Sequence, residues 1–352
     1  MWSQWRVPIH RSMVNKQHFA ATTGIVSNKT TIMIILTHTQ ILTLGLKVLG
    51  FTDQRIKRVN GLRNVQRFRS HYGSDPIVYA VLLHKLQTTN IHKARVDHHV
   101  AKVGEDKFVA YFMMAIHLLA CYPTEDEAES TFAKCPFVQP CKETWSHWVW
   151  TIIANISALM PEVIVWPSKW DNPDADTDDE TIFIFTVDGI HCLIEEPTLG
   201  DFAKNWKFYS HKFHAAGLDY EVGISIFEQK CVWINGPYGA GKNDVSVFRH
   251  KLKPLLQQAR ENSQVKHRGI ADRGYRGERA LLSVPSSMDT PEVRYFKQRA
   301  LSRHENFNGR LKNFDCLEER FRHSIKKHKH CFNSCAVIVQ LQLENGSPLF
   351  VV

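Results

Sequence analysis

The segment Thr181-Ile-Phe-Ile-Phe-Thr-Val-Asp188-Gly189 constrains the fold more than any other, because an apolar and β-branched run passes straight into an aspartate. The run reads as a buried strand from Ile182 to Val187. A carboxylate at the end of such a strand is costly unless it is paired or holds a cation. Two more acidic residues have equally pointed settings. Asp272 follows a short apolar strand from His267 to Ala271, and Glu305 lies in a helix predicted from Pro291 to Lys312.

Between these points the chain alternates. Tyr220 to Phe227 and Cys231 to Ile234 read as a strand pair joined at Glu228-Gln-Lys230, and Asp244 to Ala259 reads as a helix. Strand, antiparallel pair, helix, strand, helix is the element order of a ribonuclease-H-like α/β core. The fold expected is therefore a mixed sheet with flanking helices over 181–352, with Glu305 reaching back over two strand-end aspartates.

The preceding region reads as helical. Phe108, Phe112, Met113, Ile116, Leu119 and Ala120 share one helix face, which stops at Tyr122-Pro123. Thr124 and Glu127 form a capping box that opens a short helix to about Lys134. Trp145, Trp148, Val149, Ile152, Ile153, Ile156 and Leu159 then mark a longer amphipathic helix. Three helices with one tight connection suit a helix-turn-helix within an α-helical region spanning 52–170. Asp171 to Glu180 is acidic and contains proline, as a solvated linker does; its spacing lacks the glycine and closing glutamate of a calcium loop. Residues 1–51 are an extension with no assigned role. Within them the apolar run Thr31 to Leu49 is interrupted by His38, Gln40 and Lys47, which argues for a buried helix or an extension and against a membrane span.

Charge points to a polyanionic partner. The chain carries a formal net charge of +9, and Arg249 to Lys329 holds 20 Lys and Arg against 9 Asp and Glu, enough to account for the whole excess. Eight scattered cysteines fit free thiols better than a disulfide framework, and the start Met1-Trp-Ser-Gln-Trp-Arg lacks a secretory pattern.

Three carboxylates from two strands and a helix suit metal-dependent phosphoryl transfer. Two divalent ions about 4 Å apart can activate an oxygen nucleophile and stabilise the leaving oxygen. Hard oxygen ligands select Mg²⁺ or Mn²⁺. Asp188, Asp272 and Glu305 are the ligands expected, with Asp244 a rival for the second position; Asp272 is favoured because a strand leads into it. Lys312 lies two helical turns beyond Glu305, placed to hold a DNA phosphate, with Arg303 and Arg310 beside it.

Two other chemistries are weaker. Gly236-Pro-Tyr-Gly-Ala-Gly-Lys242 completes a P-loop pattern, but Asn243 stands where Ser or Thr should hold magnesium, and the preceding strand belongs to a hairpin. His328, His330, Cys331 and Cys335 could bind zinc, but the segment reads better as a plain basic helix with Cys331 and Cys335 on one face; Cys135 and Cys141 have no clear second ligand pair.

From about Asp106 onward the chain resembles the DDE-superfamily endonucleases of the Harbinger transposase type. Asp188-Gly189, Asp272-Arg-Gly-Tyr275, the interval of 33 residues to Glu305, and Glu305 to Lys312 as Glu-x6-Lys all match that pattern. So do Asn243-Asp244, Tyr122-Pro-Thr-Glu125, Ile164-Val-Trp-Pro167 and the closing Glu344 to Phe350. The resemblance implies a DNA endonuclease or transposase cutting and transferring strands at element ends in the nucleus. It further implies a homo-oligomer and a Myb-like accessory DNA-binding protein. Two positions depart from the family: Asn243 replaces its histidine and Leu301 its arginine. They leave open the alternative of a catalytically inactive, transposase-derived DNA-binding protein.

Overall fold

A single long strand organises the sheet. The computed structural model describes residues 34–167, 170, 183–196, 205–261 and 266–352, so the acidic stretch 171–180 and residues 1–33 lie outside it. Strand β1 (Phe183–Leu193) is flanked by the antiparallel β3 (Ala215–Ser225) and the parallel β5 (Arg268–Ala271). The short β2 (Tyr209–Ser210) and the longer β4 (Cys231–Gly239) both pair with β3, and β6 (Leu282–Ser283) runs parallel to β5. An antiparallel meander joined to a parallel half is consistent with a ribonuclease-H-like core.

Both faces of β1 are covered, which explains why its apolar run is nearly continuous instead of alternating. Phe185 and Val187 belong to a core with Phe248, Leu252 and Leu256. These last come from α10 (Asp244–His250) and α11 (Leu252–Glu261). Ile190 and Cys192 belong to a larger core with Phe307, Leu311, Leu317 and Phe332. These come from α12 (Pro291–Lys312), α13 (Asp315–Glu318) and α14 (Ile325–Glu344).

Two expectations change in detail. Asp188 is not at a strand end: β1 runs five residues further, because pairing with β3 continues through Leu193↔Gly217. What ends near Asp188 is the parallel ladder, whose final pair is Val187↔Ala271. The helix expected over 244–259 is broken at Lys251, whose φ of −136° is not helical. Pro254 near the start of α11 suits this break, since a first helical turn needs no intrahelical N–H.

Ahead of β1 come α1 (His38–Val48), α2 (Asp53–Lys57), α3 (Gly61–Tyr72), α4 (Pro76–Thr88) and α5 (Asn90–Val103). They are followed by α6 (Glu105–Cys121), α7 (Glu125–Phe132), α8 (Lys142–Ala158) and α9 (Met160–Val163). The capping box at Thr124 and Glu127 opens α7. Helix α6 is buried from Phe108 to Ala120 without a break, the pattern of a helix surrounded by protein. Tyr122 ends it at a φ of +41°, a conformation held by three contacts. The Tyr122 ring stacks on Phe321 at 5.3 Å, its hydroxyl accepts from the Arg322 N–H, and its carbonyl accepts from the Arg322 guanidinium.

The three helices read from the sequence as a helix-turn-helix are α6, α7 and α8. Helix α8 packs against both α6 and α14, burying Trp145, Trp148, Ile152, Ile153 and Ile156. Ser334 on α14 donates to the Ile153 carbonyl, and Asn333 reaches the Ser157 hydroxyl. The helical region and the last three helices therefore share one hydrophobic core.

No described helix is long and apolar enough to cross a membrane.

Candidate active site

Asp188 lies where the parallel ladder ends and its side chain projects toward α12. Its carboxylate accepts the Gly189 N–H on one oxygen at 2.8 Å and the Asn308 amide on the other at 3.2 Å. Burial, and then the charges of Glu305, Asp272 and Asp244, push its carboxyl up to about 7 against the pull of the Gly189 N–H. Among the described residues no basic side chain forms an ion pair with Asp188, Asp244, Asp272 or Glu305.

Each of the other acids is presented by a local device. Asp272 follows β5 and accepts the Gly274 N–H at 2.8 Å, a turn that holds the carboxylate at the surface. Asp244 opens α10, where Asn243 caps the helix by accepting the Ser246 N–H. Burial and then the charge of Asp272 raise the carboxyl of Asp244. Glu305 is exposed on α12, one turn before the buried Asn308.

Two glycines let these groups approach. A Cβ at Gly189 would stand 2.9 Å from one oxygen of Asp244. A Cβ at Gly274 would stand 2.5 Å from the other oxygen of Asp244 and 3.0 Å from Asp272. Asp244 is thus wedged between the Asp188-Gly189 backbone and the Asp272 turn. The rivalry between Asp244 and Asp272 becomes a neighbourhood in which both carboxylates flank one glycine.

The arrangement fits hard divalent cations. The donors are all oxygens, Asp188 is a half-buried carboxylate with acidic neighbours and no cation, and the Asn308 Oδ1 beside it is buried without a hydrogen-bond partner. The ligand atoms of these acids are not gathered three at a time within 4.8 Å, as a closed single-ion site would have them. Ligands of a two-ion site are spread around both ions.

Two residues near these carboxylates, Asn308 and Glu221, escaped the sequence reading, and Tyr275 entered it only as part of the Asp272-Arg-Gly-Tyr275 pattern. Asn308 shares a helix face with Glu305, which counting by three and four from Glu305 finds. Glu221 pairs with Gly189 across β1 and β3 and is 1% exposed; burial raises its carboxyl to about 7, while Trp233 donates to one oxygen at 2.8 Å. Tyr275 is buried behind the Asp272 turn, against Phe248. Glu221 carries no local sequence signal.

The three cations expected on DNA are otherwise employed. Arg303 is 2% exposed and donates to the carbonyls of Ser225, Glu228 and Phe350, so it has no exposed group for a phosphate. Burial lowers its guanidinium to about 10. Arg310 donates to the carbonyls of Ser347 and Pro348, and Lys312 to the Leu317 carbonyl while pairing with Glu318. All three fasten α12 to neighbouring chain. Exposed cations near the carboxylates include Arg273 and Arg276 on the Asp272 turn, and Lys212, whose charge favours the charged form of Asp244.

The competing motifs resolve structurally. The glycine-rich run after Gly236 belongs to β4, which is antiparallel to β3, so it is not the strand of a phosphate-binding loop. His328, Cys331 and Cys335 are buried on α14, His328 bonding to the Tyr220 hydroxyl and Cys335 lying against Cys316.

Residues 187–340 match a family model described as DDE superfamily endonuclease. The match takes in Asp188, Asp244, Asp272 and Glu305 and supports a superfamily assignment for this segment, which is less than half of the chain. No curated protein and no solved structure matches.

Proposed function

We propose that this protein is a divalent-metal-dependent DNA endonuclease or transposase of the Harbinger type, cutting and transferring strands at element ends. One observation carries the reading: Asp188 is a half-buried carboxylate that feels the charges of Glu305, Asp272 and Asp244 and forms no ion pair among the described residues. Such a cluster is unfavourable as it stands and becomes favourable when positive charge enters. The superfamily match over the same residues supports DNA as substrate.

Asp188, Asp272 and Glu305, with Asp244 as either an alternative or an additional ligand, would hold Mg²⁺ or Mn²⁺. When bound, these ions supply an activated water or 3′-hydroxyl and neutralise charge on the phosphoryl group. The chain's own contribution is positional. The Gly189 N–H and Asn308 orient the two oxygens of Asp188, and the Gly274 N–H orients Asp272. Arg273, Arg276 and Lys212 give the DNA backbone exposed positive charge beside the carboxylates. Action in the nucleus, homo-oligomerisation and a Myb-like DNA-binding partner belong to the same proposal, on the sequence resemblance alone.

The test is cleavage of a labelled duplex carrying candidate element ends, with Mn²⁺ or Mg²⁺ and with EDTA, for the wild type and Asp188→Ala. Nicking that needs metal and disappears in the variant is expected. Equal DNA binding by both proteins with cleavage by neither would replace the enzyme with a transposase-derived DNA-binding protein.

A further inference from the structure

Away from the carboxylates, α3 and α6 bring together a second group of donors of a different chemical kind. His71 is the penultimate residue of α3, while His117 and Cys121 stand one turn apart on α6. One ligand atom from each of the three lies within 4.8 Å of the other two; among the described residues no other group of three donors does so. Tetrahedral zinc, with metal–donor distances of about 2.0–2.3 Å, spaces its ligand atoms roughly 3.3–3.8 Å apart. Small side-chain rotations separate the two arrangements.

We propose that His71, His117 and Cys121 form a binding site for a borderline-soft divalent cation of the zinc class, which ties the end of α3 to α6. Two imidazoles and a thiol are the donors such an ion prefers over Mg²⁺, so the site is chemically distinct from the all-oxygen cluster at Asp188. His117 is 4% exposed, so its ring is held in place by the packing of α3 on α6. Its Nδ1 lies 2.9 Å from the His71 carbonyl, which can only accept, so this nitrogen carries the ring proton and Nε2 keeps the lone pair. The ring nitrogens of His71 make no hydrogen bond among the described residues, which leaves them available. Cys121 points its thiol at the carbonyls of Ser70 and His71 at 3.7 and 3.5 Å. As the sulfur–metal bond forms, the S–H bond breaks and its proton passes to solvent; no oxidation is involved. The fourth position is open to water or to Asp315, whose charge is felt at Cys121.

The competing explanation is that His117 and Cys121 only satisfy carbonyls at the end of α3. Cobalt titration separates the two. Full-length protein, freed of metal with EDTA and exchanged into clean buffer, is titrated with Co²⁺ under reducing conditions while ultraviolet thiolate-to-cobalt charge transfer and visible ligand-field bands are recorded. The wild type should saturate at one equivalent per chain with both features, and Zn²⁺ should displace the cobalt. Cys121→Ser should lose the charge-transfer band, and His71→Ala should weaken Co²⁺ binding at least tenfold. Asp188→Asn should keep the band, because an all-oxygen site produces none. Absence of the band in wild-type protein overturns the proposal. So does its survival in Cys121→Ser, since the thiolate would then belong to another cysteine. Should Cys121→Ser fail to fold, wild-type affinity in His71→Ala overturns it alone.

Discussion

Removing the charge of Asp188 should stabilise the metal-free protein increasingly as pH rises from about 4 to about 8. The carboxyl titrates near 3.8 when unperturbed and near 7 in the fold, because burial, Glu305, Asp272 and Asp244 outweigh the Gly189 N–H. For an acid whose folded pKa is raised, the favourable contribution is complete below the unfolded value and is lost as pH rises through the folded one. At 1.4 kcal/mol per unit, with partial solvent access allowed for, the loss between pH 4 and pH 8 is on the order of 2–4 kcal/mol. Asp188→Asn keeps the shape without the charge. The Gly189 N–H still finds the Oδ1 of the new amide, and a flip of Asn308 turns its unpartnered Oδ1 toward the new NH₂. Urea or thermal unfolding in EDTA should therefore show the variant matching the wild type near pH 4 and exceeding it by a growing margin up to pH 8.5. Glu221 shifts in the same direction, so the difference between variant and wild type is the diagnostic and the wild-type profile alone is not. Saturating Mn²⁺ at pH 8.5 should stabilise the wild type and leave the variant unmoved. A variant-minus-wild-type difference that does not change with pH would refute the electrostatic reasoning. A variant stabilised by Mn²⁺ as strongly as the wild type would refute the role of Asp188 as a metal ligand.

Two further substitutions separate roles that the sequence alone confuses. Gly274→Ala puts a methyl 2.5 Å from Asp244 and 3.0 Å from Asp272, so metal-dependent nicking should fall at least tenfold while circular dichroism is retained. Unchanged cleavage would mean that the two acids are not used together. Arg303→Leu leaves the carbonyls of Ser225, Glu228 and Phe350 without their donors and should cost about 3 kcal/mol in urea unfolding. The salt dependence of DNA binding should stay the same; a slope reduced by about one would mark a phosphate contact instead.

The difference between Asp188 and Arg303 shows what local sequence carries and what it does not. Asp188 was legible because a strand's character is written in consecutive residues, and a charge that interrupts such a run has to be explained within it. Asp272 was legible for the same reason, and α12 was bounded correctly by Pro291 and Lys312 because the helix signals are local. Arg303 has no such neighbours. The helix signals place it on α12 as surely as they place Lys312, but its purpose is set by Ser225 and Glu228, more than seventy residues earlier, and by Phe350, forty-seven residues later. Glu221 is hidden in the same way: its strand reads as ordinary, and its burial arises only when β1 and β4 close on either side of β3. The shared core of α8 and α14 is another long-range product, since the acidic stretch between the helical region and β1 suggests a boundary that the packing of Ile153 against Ser334 does not respect. His71 extends the argument to the proposed zinc-class site. The pair His117 and Cys121 is one helical turn apart and visible in the sequence, but a single pair is an incomplete ligand set. The residue that makes it a group of three comes from α3, forty-six positions away, and is delivered by the packing of α3 on α6. Charged and metal-binding groups supported by one element can thus be read from the chain, whereas those completed by a second element depend on the packing that brings the elements together.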